Sequence, residues 1–187
     1  MKRRQVLTAL AGLGLTGASA LAVTGRFPGP GGSGSELPLR VETIDARGST
    51  AGEARIPAAD APTVVDLFAT WCAPCKEQMD ALSTVHEAYG DRVAFVSVTN
   101  ERIGGTLSRE DVRAWWRRHD GAWTVGLDPQ SDLMAALGAS GLPFLAVFDA
   151  RGEIRWTHAG VASTATLRRE IGRVLPESGA TSGTVRS

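Results

Sequence analysis

Phe68-Ala69-Thr70-Trp71-Cys72-Ala73-Pro74-Cys75-Lys76 stands where one hydrophobic pattern gives way to another. Upstream, Thr63 to Ala69 carries Val64, Val65, Leu67 and Phe68 with little polar interruption, which predicts a strand in the middle of a sheet. Downstream, Met79, Leu82, Val85 and Tyr89 recur at the period of an amphipathic helix, and Gly90 stops it. The two cysteines therefore fall at a strand-to-helix junction. There the unpaired amides and dipole of the helix favour an anion, so Cys72 is expected to be the attacking thiolate. Cys75, one turn further in and buried, is placed to resolve a mixed disulfide. Pro74 is tolerated in the first turn, where its missing N–H costs no hydrogen bond.

Working outward, Val93 to Val98 reads as a second buried strand, so strand, helix and strand form a parallel crossover. Before them, Leu39 to Ile44 and Glu53 to Ile56 flank the turn-like Arg47-Gly48-Ser49 and predict a hairpin. Beyond them, Ser108 with Asp111 opens a helix whose Val112, Trp115 and Trp116 belong to the core. A strand at Trp123 to Leu127 and a helix through Leu133, Met134 and Leu137 follow, the latter stopped by Gly138. Leu145 to Phe148 and Ile154 to Thr157 flank Asp149-Ala150-Arg151-Gly152 as an antiparallel hairpin. A last helix presents Leu167, Ile171 and Val174 and ends at Pro176. The class is α/β, with a central mixed sheet and helices on both faces.

Charge and cysteine content narrow the function. Lys plus Arg and Asp plus Glu each number 20, the net charge is zero, and so no global field draws nucleic acid. Two cysteines exclude a framework of structural disulfides, and His86, His119 and His158 are too dispersed to complete a zinc site with them. No metal or organic cofactor is called for.

The amino terminus has the layout of an export signal. Lys2, Arg3 and Arg4 precede an uncharged stretch from Val6 to Val23, and Ala18-Ser19-Ala20 and Ala20-Leu21-Ala22 offer small-residue cleavage sites. Arg3-Arg4 followed by Gln5, Val6 and Leu7 resembles a twin-arginine signal. As a helix the same stretch would reach roughly 27 Å, so a permanent membrane tether is the alternative. Residues 1–23 are thus a signal peptide or anchor, 24–36 a Gly/Pro/Ser-rich linker, 37–176 the globular domain and 177–187 a disordered tail. Either fate puts the domain in the cell envelope or beyond, where disulfides persist.

The stretch from Phe68 to Lys76 resembles the active site of the thioredoxin superfamily, especially its exported TlpA- and ResA-like branch. Two remote features add to the likeness. Gly141-Leu142-Pro143 before the strand at Leu145 matches the loop that carries a cis-proline facing the disulfide, and the segment between Val98 and Leu145, with Asp128 before a short helix, resembles that branch's insertion. The resemblance implies a thioredoxin fold with an N-terminal hairpin extension. It also implies a redox-active centre at Cys72 and Cys75, with Trp71, Ala73, Pro74, Leu142 and Pro143 beside the substrate. Asp66, six residues before Cys72, stands where ordinary thioredoxins bury an aspartate, which would act as proton acceptor for Cys75; a strand-end aspartate facing water is the alternative. Gln78 departs from the Glu common in this branch, Met79-Asp80 from its apolar-proline pair, and Phe144 from the usual Thr, where it is expected to alter the apolar rim that holds the substrate.

The expected activity is thiol–disulfide exchange by a monomer acting on thiols or disulfides of exported proteins, with a membrane or soluble redox partner. The alternatives are a non-enzymatic binding, chaperone or metal-carrier domain, and a peroxide reductase on the same fold.

Overall fold

The computed structural model describes residues 36–176, so the signal or anchor, nearly all of the linker, and the tail lie outside the described residues. In chain order the elements are β1 (Leu39–Thr43), β2 (Gly52–Ile56), β3 (Thr63–Phe68), α1 (Ala73–Tyr89), β4 (Ala94–Thr99), α2 (Arg109–Arg118), β5 (Thr124–Leu127), α3 (Asp132–Leu137), β6 (Phe144–Phe148), β7 (Ile154–Ala159) and α4 (Thr164–Val174).

Among the described residues all seven strands join one sheet in the order β2-β1-β5-β4-β3-β6-β7. The apolar run at β3 sits well inside it and is buried at every position, pairing parallel with β4 and antiparallel with β6. The early hairpin forms between β1 and β2 with Val41 opposite Ala54. Its attachment is not evident from periodicity: β1 lies antiparallel to β5, so the hairpin extends the main sheet.

Strand alternation divides the core in two. Val64 and Phe68 of β3, Leu145 and Val147 of β6, and the buried faces of α1, α2 and α4 form one cluster, which holds Cys72 and Cys75. Val65, Leu67, Ala146 and Phe148 face the other way, onto Leu133 and Leu137 of α3. Helices cover both faces as expected, three of them on the cysteine side. Phe144 belongs to the second cluster and is buried there, so the expectation that its ring reshapes the rim beside the cysteines is corrected. Alternation along β6 sends it to the far face together with Ala146 and Phe148.

The loop between β1 and β2 is seated tightly. The Trp116 indole N–H donates to the Arg47 carbonyl at 3.0 Å. Gly48 has φ +75°, and a Cβ there would come within 1.9 Å of the Ala122 carbonyl oxygen, so only glycine fits. The tryptophans expected in the core are there: Trp115 stacks on Phe68 with centroids 4.8 Å apart, and Trp116 meets Trp123 edge-on at 5.0 Å. α2 starts as its sequence predicts, with a reciprocal capping box between Ser108 and Asp111.

Candidate active site

β3 ends at Phe68, and the chain turns at once, the Cys72 N–H donating to the Ala69 carbonyl at 3.1 Å. This turn places Cys72 as the N-cap of α1, in extended conformation, with Pro74 in the first helical turn. Cys72 and Cys75 are joined by a disulfide with Cα atoms 5.3 Å apart. The Cys75 N–H donates to Cys72 Sγ at 3.2 Å, so the first sulfur accepts one of the helix's unpaired amides. Cys75 is buried as expected, and in the disulfide form Cys72, the expected attacking group, is buried as well: they are 1% and 4% exposed. The reason is local: Cys72 turns its sulfur inward to bond Cys75, and Trp71, 73% exposed, occupies the surface instead.

The turn is clamped by a residue whose role the sequence does not signal. Glu101, in the loop after β4, accepts the Thr70 N–H at 2.6 Å on Oε2 and the Thr70 hydroxyl at 2.8 Å on Oε1. Thr99 adds a hydroxyl donor to Oε2 at 3.1 Å. Both ends of the carboxylate thus hold Thr70, one by its backbone and one by its side chain, two residues before Cys72.

Asp66 is buried, at 3% exposure, which removes the reading of a strand-end aspartate in water. It stands between Val64 and Phe68 on the face that carries the cysteine cluster. Burial pushes its carboxyl up to about 7, opposed by a hydrogen bond from the Ser97 hydroxyl at 2.9 Å.

The Leu142–Pro143 bond is cis, as the resemblance implies. The Pro143 carbonyl accepts the Gly160 N–H at 2.8 Å, tying the loop before β6 to the loop after β7. That second loop is in turn held to α1. Gln78, wholly buried, accepts the Ala162 N–H at 2.7 Å and donates to the Ala162 carbonyl at 3.3 Å. Val161 projects between these ties and is 41% exposed.

The Gln78 pair gives a physical reason for that departure from Glu. An amide matches both backbone polar groups of one residue, whereas a carboxylate would face the Ala162 carbonyl with a negative charge. Gln78→Glu is therefore expected to lower stability by about 1–3 kcal/mol near pH 8. Burial would raise the new carboxyl's pKa, so the folded protein holds its proton where the unfolded chain has lost it. The loss should therefore shrink as pH falls toward 5. Urea unfolding of the oxidised protein at both pH values checks this; a pH-independent loss would contradict it.

Asp128, read as preceding a short helix, serves as its cap: its carboxylate accepts the Asp132 N–H at 3.1 Å and the Leu133 N–H at 2.9 Å. Among the described residues, no group of three or more His, Cys, Asp and Glu side chains could hold a metal ion, and no helix is long and apolar enough to cross a membrane.

Comparison with known proteins agrees with this architecture. The Redoxin family matches residues 34–175. The thiol–disulfide oxidoreductase YkuV of Bacillus subtilis is 27% identical over 116 residues, covering 62% of this chain and 78% of that protein. The thiol:disulfide interchange protein DsbE of Tatumella citrea is 28% identical over 115 residues, covering 59% of this chain and 56% of the relative. Among solved structures, StoA from Bacillus subtilis aligns with a TM-score of 0.59 at 20% identity, covering 72% of this chain and 98% of that one, which shows the thioredoxin fold. The chain thus belongs to the Redoxin family, within the thioredoxin superfamily and its TlpA/ResA-like thiol–disulfide oxidoreductases.

Proposed function

We propose that this protein exchanges disulfides with exported protein substrates through Cys72 and Cys75. The observation that carries the reading is the bonded pair at the N-terminus of α1, with Cys72 Sγ accepting a helix amide. In the reductive direction the Cys72 thiolate attacks one sulfur of a substrate disulfide. A Cys72–substrate disulfide forms, and the other substrate sulfur leaves as a thiolate that takes a proton from solvent. Cys75 then gives its proton to the Asp66 carboxylate and attacks Cys72 Sγ. The internal disulfide closes, and the first substrate sulfur departs as a thiolate. Oxidation of a substrate dithiol runs the same steps backward.

Trp71, Ala73, Pro74, Leu142 and Pro143 are the residues for the substrate to lie against. The exposed indole of Trp71 supports this, as does the tie between Pro143 and the loop of Val161, which holds an apolar rim in place. The basic start and uncharged stretch before Val23 support export, by the twin-arginine route or with a retained anchor.

Turnover of insulin disulfides with dithiothreitol as electron source tests the activity. The wild type should precipitate insulin, and Cys72→Ser should match the uncatalysed control. Trp71→Ala should lower kcat/KM for insulin about tenfold or more, in line with losing a large aromatic surface for a substrate to cover, while reaction of the disulfide with dithiothreitol is unchanged. Failure of the wild type to catalyse would leave a binding domain as the reading; an equal loss with both reagents would remove Trp71 from the substrate surface.

A further inference from the structure

A chain of hydrogen bonds runs sideways through the sheet to Asp66. The Trp123 indole N–H donates to Ser97 Oγ at 2.9 Å, and the Ser97 hydroxyl donates to Asp66 Oδ2 at 2.9 Å. Ser97 is the register partner of Asp66 across the β3–β4 pairing, and Trp123 enters just before β5. An indole N–H can only donate, so the relay has one direction, and the single Ser97 proton goes to Asp66. The other carboxyl oxygen, Oδ1, is buried and has no hydrogen-bond partner.

The two oxygens are therefore unequal. A proton on Oδ2 would meet the Ser97 hydroxyl proton and force that hydroxyl away from its partner, in a place where Ser97 is fully buried. A proton on Oδ1 breaks no existing hydrogen bond. We propose that Ser97 and Trp123 are positioning residues for Asp66, holding Oδ2 as an acceptor so that Oδ1 takes the proton released by the resolving thiol. The proposal rests on the reading of Asp66 as proton acceptor given above.

Electrostatics agrees with the geometry. Burial is the main influence on Asp66, and the Ser97 bond is what pulls its carboxyl back down. Titratable groups packed on the surrounding cluster include Tyr89 and His86 of α1, the latter with its ring 5.1 Å from that of Trp123, and His119, against Trp115. Glu170 of α4, held by Arg169 and Arg173, is another. Of these His86 touches the relay, and burial lowers its pKa.

Carboxyl carbon-13 NMR of the full-length oxidised protein reads the test, the Asp66 signal being identified by its loss in Asp66→Asn. Ser97→Ala should raise the Asp66 pKa by about one unit or more, the worth of a hydrogen bond to a charged group. Trp123→Phe keeps a ring and deletes the N–H; it should raise the pKa by less. Ser97→Thr, which retains the hydroxyl, should restore the wild-type value, and His86→Gln should not move it. A merely structural role for Ser97 would leave the titration in place, and an unmoved Asp66 pKa in folded Ser97→Ala and Trp123→Phe overturns the relay. The pH profile of the resolution step, measured by single turnover, should shift with the NMR pKa. If the pKa moves and that profile does not, the relay exists but Asp66 is not the proton acceptor, which overturns its part in the reaction.

Discussion

Cys75→Ser should accumulate covalent complexes with protein substrates, and Cys72→Ser should accumulate none. With Ser at 75 the first attack still occurs, but nothing three residues away can expel the substrate, so the mixed disulfide lives until an outside thiol removes it. The warrant is positional. Cys72 caps α1, and its sulfur already accepts a helix amide, an arrangement that favours negative charge within the first turn. Because both sulfurs are closed off in the disulfide, the asymmetry belongs to the reduced state. Non-reducing gels of cells expressing each variant, with mass spectrometry of the trapped bands, would read it and name the substrates. Equal trapping by the two folded variants would mean that the N-cap does not select the nucleophile.

The oxidised protein should be more stable at pH 5 than at pH 8 by about 2–3 kcal/mol on account of Asp66 alone. Its carboxyl is raised from 3.8 to about 7 by burial. Between those values the folded protein holds a proton that the unfolded chain has released, so stability is greatest in acid and declines as pH rises through 7. Asp66→Asn should flatten this dependence, since the amide has no charge to desolvate. The same substitution should slow resolution of a mixed disulfide, on the order of 100-fold if general-base help is lost. Urea midpoints across the pH range and stopped-flow resolution rates give separate readouts. Coincident stability curves for the two proteins would place the Asp66 titration elsewhere, and coincident rates would remove it from the reaction.

The parts of this fold that were legible in the sequence are those set by short-range pattern. The β3 run, the period of α1, the Ser108 cap and the cysteine junction each lie within a few residues of their cause. Asp66 is legible as a buried acid only through its spacing before Cys72, which the family resemblance supplies; the apolar run around it leaves a water-facing aspartate open. The groups that act on the site are not legible in the same way. Thr70 and Glu101 are separated by 31 residues, Asp66 and Ser97 by 31, and Gln78 and Ala162 by 84. A serine in a strand or a glutamate in a loop carries no mark of the residue it will meet, since that depends on register and crossover. Phe144 shows the converse: its position in the sequence beside Pro143 suggested the rim, and alternation along β6 sent it to the opposite core.

The seating of the β1–β2 loop bears on where the working unit begins. A thioredoxin-like chain trimmed to start at Pro62 would keep both cysteines, Asp66 and Pro143. It would, however, strip β5 of its outer neighbour and leave the Trp116 indole without the Arg47 carbonyl. Trp116 and Trp123 form one aromatic contact, and Trp123 is the far end of the hydrogen bonds that reach Asp66. The hairpin is thus no detachable ornament on a minimal redox domain: its removal would loosen, from the opposite margin of the sheet, the wall against which the buried acid is held.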